Sequence, residues 1–170
     1  MQNFNCISCS KDFYLQDLST GTLTIDSEPE ILKEAVATAF VDGQNLLGPV
    51  VGNFCMDLAI KKAKSVGIGL VVAQKSNHYG IAGHFSMQAL NHNMIGMSFT
   101  NTTPIVFPTR SNNRSLGTNA LSLAAPTTNK KDSFVLDMAT STVAMGKVEI
   151  NKMKGVPLPN TWGADSTGRV

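Results

Sequence analysis

The apolar run Gly67-Ile68-Gly69-Leu70-Val71-Val72-Ala73 is followed, after a short polar stretch, by apolar residues at helical spacing, Ile81, Phe85 and Ala89. A strand that turns into a helix commits a chain to layers of sheet and helix, because each element must bury its apolar side against another. The run is short and β-branched in its middle, which predicts a buried strand, with Gln74 and Lys75 returning the chain to solvent. Ser86, Gln88 and Asn91 fall outside the apolar repeat, so a helix is predicted over residues 81–91. The pentapeptide Ser76-Asn77-His78-Tyr79-Gly80 lies between the two and places His78 at a strand's carboxyl end, where chemistry tends to gather. Imidazole, with an ordinary pKa near 6.5, suits proton transfer at neutral pH, and the open backbone of Gly80 lets a ligand approach. The same position suits a histidine that merely closes the turn, and spacing alone leaves both readings standing.

The alternation continues along the chain. Residues 35–41 read as a strand closed by Asp42-Gly43. Pro49 then opens a helix with Val50, Val51, Phe54, Leu58 and Ala59 on its apolar face and Asp57, Lys61, Lys62 and Lys64 outside. Met94 to Phe99 is a further strand, ending in Thr100-Asn101-Thr102-Thr103-Pro104, and Leu121 to Ala125 is another before Pro126. Phe134-Val135-Leu136 reads as a short buried strand delivering Asp137. Several connections are too short for helical crossovers, so the expected fold is α/β with a mixed sheet. Asp137 suits a cap on the segment from Met138 to Gly146 or an acceptor for ribose hydroxyls. Thr100 and Thr102 suit turn chemistry before Pro104, and Gly117-Thr118-Asn119 suits a turn.

Composition narrows the function. The 170 residues are 42% hydrophobic and 15% charged, enough for a real core, and the net charge of +2 with scattered basic residues gives no nucleic-acid footprint. No apolar run reaches the length of a membrane span and no leader pattern is visible, so a cytoplasmic protein is expected, with no membrane partner. Three cysteines, Cys6, Cys9 and Cys55, form no disulfide framework. Cys6-Ile7-Ser8-Cys9 has C-x-x-C spacing but no second pair, and His78, His84 and His92 share no zinc-type spacing with other ligands, so no metal site is expected. Glycine-rich dinucleotide fingerprints, P-loops and nucleophile elbows are also absent from the sequence.

From Ile25 to Gly168 the chain resembles the type 2 malate/L-lactate dehydrogenase family. The resemblance rests on several motifs in order. They are Thr38-Ala39-Phe40-Val41-Asp42-Gly43, Ser76-Asn77-His78-Tyr79-Gly80 with Ala82-Gly83, Thr100-Asn101-Thr102, Leu116-Gly117-Thr118-Asn119, Val135-Leu136-Asp137-Met138-Ala139-Thr140-Ser141 and Gly146-Lys147-Val148. The resemblance implies a non-Rossmann, mixed-sheet fold and hydride transfer between NAD or NADP and a 2-hydroxy or 2-oxo acid such as malate or lactate. It implies that His78 donates and accepts the substrate proton. It also implies cofactor contacts from Thr100, Thr102, Asp137, Met138 and Ala139, with Ser76 and Asn77 placed to hold the cofactor amide or to orient the His78 ring, and a homodimer in the complete protein. Lys147 lies where a phosphate contact or a solvated lysine are both reasonable.

The departures carry expectations of their own. Upstream, the family has an S-H-G-x-x-R-type motif that holds the substrate carboxylate, whereas this chain reads Phe4-Asn5-Cys6-Ile7-Ser8-Cys9-Ser10-Lys11. Residues 1–24 are therefore expected to be a divergent or partial N-terminal segment and residues 25–170 a partial catalytic domain, with roughly the family's first tenth and second half not represented. Arg110 and Arg114, in a loop that is glycine-rich in the family, are candidates for a replacement anion clamp. The alternative function is a catalytically inactive family member that folds or pairs with a full-length subunit.

Overall fold

The computed structural model describes residues 14–111, 113–129 and 132–164. Cys6, Cys9 and the divergent Phe4 to Lys11 stretch lie outside the described residues. In chain order the elements are a short helix over residues 14–19 (α1), strands Glu30–Glu34 (β1) and Thr38–Asp42 (β2), helix Gly48–Val66 (α2), strand Leu70–Gln74 (β3) and helix Ala82–Gln88 (α3). A single 3-10 turn, Ala89–His92, extends α3. Strands Gly96–Phe99 (β4), Leu121–Ala125 (β5) and Phe134–Met138 (β6) and helix Met145–Lys154 (α4) complete the described chain.

The strands form two three-stranded sheets rather than one. In the first, β1 runs antiparallel to β2 with an irregularity between Ile31 and Lys33, and β2 runs parallel to β3. A parallel pair needs a long crossover, and α2 supplies it. The second sheet is antiparallel throughout, in the order β4-β5-β6. This is the mixed, non-Rossmann α/β arrangement that the sequence predicts. Helix α2 packs on β2, β3 and α3, and α3 packs on all three strands of the second sheet, so the two helices join the layers.

The core follows from those contacts. Val41, Val51, Ala82, Phe85, Ala89 and Ala124 are buried. Phe85 anchors the junction, since a methyl group built on Gly52 of α2 would stand 2.5 Å from its ring. Burying a ring of this kind stabilises the fold by about 2–3 kcal/mol.

Several expected elements shift. The run over residues 67–73 becomes a strand only at Leu70, and it is not buried: Leu70 is 54% and Val72 52% exposed. The first sheet is covered by α2 on one side, and an all-apolar run does not reveal that its two faces differ. The short strand at Phe134 is likewise exposed at Phe134 and Val135 and extends through Met138. On α2, Val50 faces solvent, whereas Lys62 is only 7% exposed. The lysine stem lies along the apolar surface while Nζ donates to Glu34 Oε1 at 2.8 Å and to the Ala35 carbonyl at 2.7 Å. Strand β1, all of whose side chains are exposed, has no apolar alternation to announce it.

Candidate active site

Two loops converge at the carboxyl ends of β2 and β3. The buried carboxylate of Asp42 organises both. Its Oδ1 accepts the Gln44 N–H at 2.8 Å, and its Oδ2 accepts Lys75 Nζ at 2.7 Å and Gln74 Nε2 at 3.1 Å. The Lys75 bond, then the backbone N–H, hold Asp42 below the usual carboxylate range. The Gly43 N–H donates to the Gln74 carbonyl and the Asn45 N–H to the Lys75 carbonyl. Gln44, Asn45 and Lys75 all have positive φ, between 49° and 55°. Such backbone costs roughly 1–2 kcal/mol per residue, so it persists only where surrounding bonds enforce it. Asn77 extends the lock, its Nδ2 donating to the carbonyls of Asn45 at 2.8 Å and Leu46 at 3.1 Å. The first residue of α2, Gly48, then lies against the Asn77 and His78 carbonyls so closely that no Cβ fits.

His78 thus stands on a fixed backbone. Its Nδ1 meets the Tyr14 hydroxyl at 2.7 Å, with the rings 5.8 Å apart and inclined at 47°. Partial burial lowers the His78 pKa from its ordinary value, against a weaker pull upward from Asp17, three residues beyond Tyr14 in α1. The neutral ring therefore dominates at pH 7. Beside it Gly80 has a φ of 87°, and among the described residues a Cβ there would touch nothing within 4 Å.

On its other side the turn is fastened to the second sheet. Tyr79 stacks on Phe85, with centroids 4.7 Å apart and planes 2° from parallel, and its hydroxyl meets Ser98 Oγ at 3.0 Å. The Gly83 N–H, in the first turn of α3, donates to Asp137 Oδ2 at 2.9 Å. Ser86 Oγ and Ser122 Oγ are 2.6 Å apart, and the latter donates to the Leu136 carbonyl at 2.8 Å. Ser98, Ser122 and Asp137 are cross-strand neighbours in register, a polar row spanning β4, β5 and β6. Asp137 is thus a helix cap, but of α3 and not of the segment after it, where no helix begins before Met145. Ser86 is buried rather than outside the apolar repeat.

The remaining expected residues cluster at the same end of the second sheet, where Phe99, Leu121 and Met138 are in register. Thr100 Oγ1 donates to the Asn101 carbonyl at 2.7 Å. Thr102 Oγ1 accepts the Thr118 N–H at 2.8 Å, its own N–H donates to Asn119 Oδ1 at 3.1 Å, and the Thr140 N–H reaches the Thr118 carbonyl at 2.9 Å. The loops after β4 and β6 and before β5 are therefore one bonded unit, with Met138 exposed and Ala139 partly covered. Ser76 is exposed, and its Oγ donates to the Asn77 carbonyl at 3.3 Å. Arg110 and Arg114 are exposed in the loop closed by the Val106–Leu116 bridge, and Lys147 is exposed in the first turn of α4. Among the described residues no group of three potential ligands could hold a metal ion, and no helix is long and apolar enough to cross a membrane.

Sequence reasoning missed Tyr14 and Asp17, although their three-residue spacing in Tyr14-Leu15-Gln16-Asp17 puts both on one face of a helix. It also missed Ser98 and Ser122, single hydroxyls inside otherwise apolar strands whose alternation pointed inward.

The turn that carries His78 is thus held between two sheets, at strand ends of an α/β scaffold. The malate/L-lactate dehydrogenase family model matches residues 11–170. The chain belongs to that family. It is 45% identical over 157 residues to the malate dehydrogenase of Pyrococcus horikoshii, covering 92% of this chain and 43% of the relative. It is 41% identical over 156 residues to the L-sulfolactate dehydrogenase of Methanocaldococcus jannaschii, covering 92% of this chain and 45% of the relative. The crystal structure of malate dehydrogenase from Entamoeba histolytica superposes with a TM-score of 0.87 at 33% identity, over 92% of this chain and 43% of that one. The chain spans under half the length of the relatives it matches.

Proposed function

We propose that this chain carries the acid/base half of an oxidoreductase site that interconverts a 2-hydroxy acid, such as malate or lactate, and its 2-oxo acid, in a protein that pairs as a homodimer. The observation that supports this reading best is His78: an imidazole at a strand's carboxyl end, neutral at pH 7, on a backbone held from both sheets. In the oxidation direction the ring takes the substrate's hydroxyl proton, and in reduction its protonated form returns a proton to the carbonyl oxygen. NAD or NADP, when bound, supplies or takes up the hydride. The residues present fit such a group. Among the described residues Gly80 leaves open space beside His78, and the loop ends after β4 and β6 offer exposed backbone and hydroxyls. Asn77 and Asp137 each spend one polar atom on the scaffold and keep one side-chain oxygen for a ligand. In this reading Ser76, Asn77, Thr100, Thr102, Asp137, Met138 and Ala139 hold the cofactor, and His78 also touches the substrate.

The test is an assay of NADH and NADPH oxidation with oxaloacetate and pyruvate, using the protein that contains this segment and its His78→Ala variant. Turnover should fall by about a hundredfold or more while cofactor binding stays nearly intact. An unchanged turnover number at saturating substrate would remove His78 from the chemistry.

A further inference from the structure

We propose that Tyr14 is the positioning residue of His78: its phenol oxygen accepts the imidazole Nδ1–H, fixing the tautomer in which Nε2 exchanges the substrate's proton. The proposal rests on the reading of His78 as the acid/base group, but its central test does not require turnover.

The geometry supports the assignment in three steps. First, the hydroxyl oxygen lies 2.7 Å from Nδ1, the separation of a strong hydrogen bond, so this nitrogen is engaged by the protein. Second, a phenol has one proton and two lone pairs, and the Tyr14 proton has another acceptor, the His78 carbonyl, at 3.5 Å. That contact is long, yet it leaves the phenol oxygen able to face Nδ1 with a lone pair. Third, the chemistry requires this direction. A neutral imidazole that takes a proton at Nε2 must carry its own proton at Nδ1, and after the transfer both nitrogens bear protons. A partner that accepts from Nδ1–H is satisfied in both states, whereas a donor to Nδ1 would oppose the imidazolium. In reduction the Nε2 proton passes to the carbonyl oxygen and the Nδ1–H to Tyr14 bond is unchanged.

The electrostatic surroundings agree. From α1, Asp17 faces the ring and favours its charged form. From the other side, the start of α2 reads Gly48-Pro49-Val50-Val51 and brings no charged side chain. Lys75, the nearest cation along the loop, is bound to Asp42. Tyr14 is thus the neutral group that directs the ring without fixing its charge, and Asp17 offsets part of the effect of burial. Both come from one helical turn.

The experiment is a nitrogen-15 spectrum of the histidine side chains of the full chain, wild type and Tyr14→Phe, across a pH titration. The two-bond proton–nitrogen correlations distinguish the neutral tautomers. Wild-type His78 should be chiefly Nδ1–H at high pH, the minority form of free imidazole side chains, and Tyr14→Phe should return it to chiefly Nε2–H. The phenylalanine ring keeps the packing, so a purely structural role for Tyr14 predicts no change of tautomer. A wild-type ring that is chiefly Nε2–H overturns the proposal, and that spectrum decides it even where the variant does not fold. A Tyr14→Phe ring that stays Nδ1–H also overturns it. His78→Ala with undiminished turnover removes the acid/base reading instead, and leaves the tautomer result as a separate fact.

Discussion

Asn77 stands next to His78 in sequence, yet its amide nitrogen is occupied by the carbonyls of Asn45 and Leu46, which makes it first a brace for the turn. The same holds for Asp137 and the Gly83 N–H. At the residue scale, then, the polar side chains around His78 hold the turn with one atom and face outward with another. His78 itself yields a pH prediction. Burial places its folded pKa below its unfolded value near 6.5, so between those values the unfolded chain binds more protons and stability rises with pH. Acidification through that window should lower the urea midpoint, with no further His78 contribution once the pH is below the folded pKa. In His78→Gln that part of the dependence should vanish, and a midpoint-versus-pH curve parallel to wild type from pH 8 to 5 would contradict it. The place of His78 between a strand and a helix was legible in the sequence, because an apolar run precedes its motif and a helical repeat follows it. Tyr14 was not, because nothing local connects it to a histidine 64 positions away.

At the scale of elements, the turn depends on how α2 and α3 are seated. Gly48→Ala should displace the Asn77 and His78 carbonyls, because backbone atoms and no flexible side-chain end occupy the space of the added methyl. The expected cost is about 1–3 kcal/mol, with shifts in the Asn77 and His78 amide resonances. Wild-type stability and unmoved resonances would show that the contact is looser than it stands here. The buried Ser86–Ser122 pair tests the seat of α3. Each single alanine variant removes the bond between the hydroxyls and leaves the partner its backbone acceptor, the Gly83 carbonyl for Ser86 or the Leu136 carbonyl for Ser122. It should therefore cost about 1 kcal/mol, while the double variant should cost clearly less than the sum. Strict additivity in a double-mutant cycle would argue against a coupled pair. Strand β5 was read with its observed limits because Leu121 and Pro126 frame a short apolar run, and α2 because Pro49 marks its first turn. Helix α4 was not read, since Met145 to Lys154 buries none of its residues and so presents no one-sided apolar pattern. The burial of β3 was misread because sequence shows which residues are apolar but not which face another layer covers.

On the scale of the whole molecule, the apolar surface is unevenly covered. Helix α2 packs on the first sheet, yet Leu70 and Val72 of β3 stay open to solvent beside the partly covered Phe40, and Ile68 is exposed just before the strand. Phe40 and Val72 are register partners, so their side chains share a face, and both line a concavity with Lys33, Thr38 and Ala39. Contiguous exposed apolar surface of this kind drives association, and β3, an edge strand among the described residues, adds backbone groups able to pair. The 170-residue chain expressed alone should therefore self-associate as its concentration rises. Sedimentation velocity over a hundredfold concentration range measures this directly. Val72→Lys is exposed in the monomer and should leave its fold intact while shifting the distribution toward monomer, because burying an unpaired ammonium at a contact is unfavourable. If wild type remains monomeric throughout, or Val72→Lys associates as strongly, the open face of the first sheet is not the surface through which the chain meets its own copies.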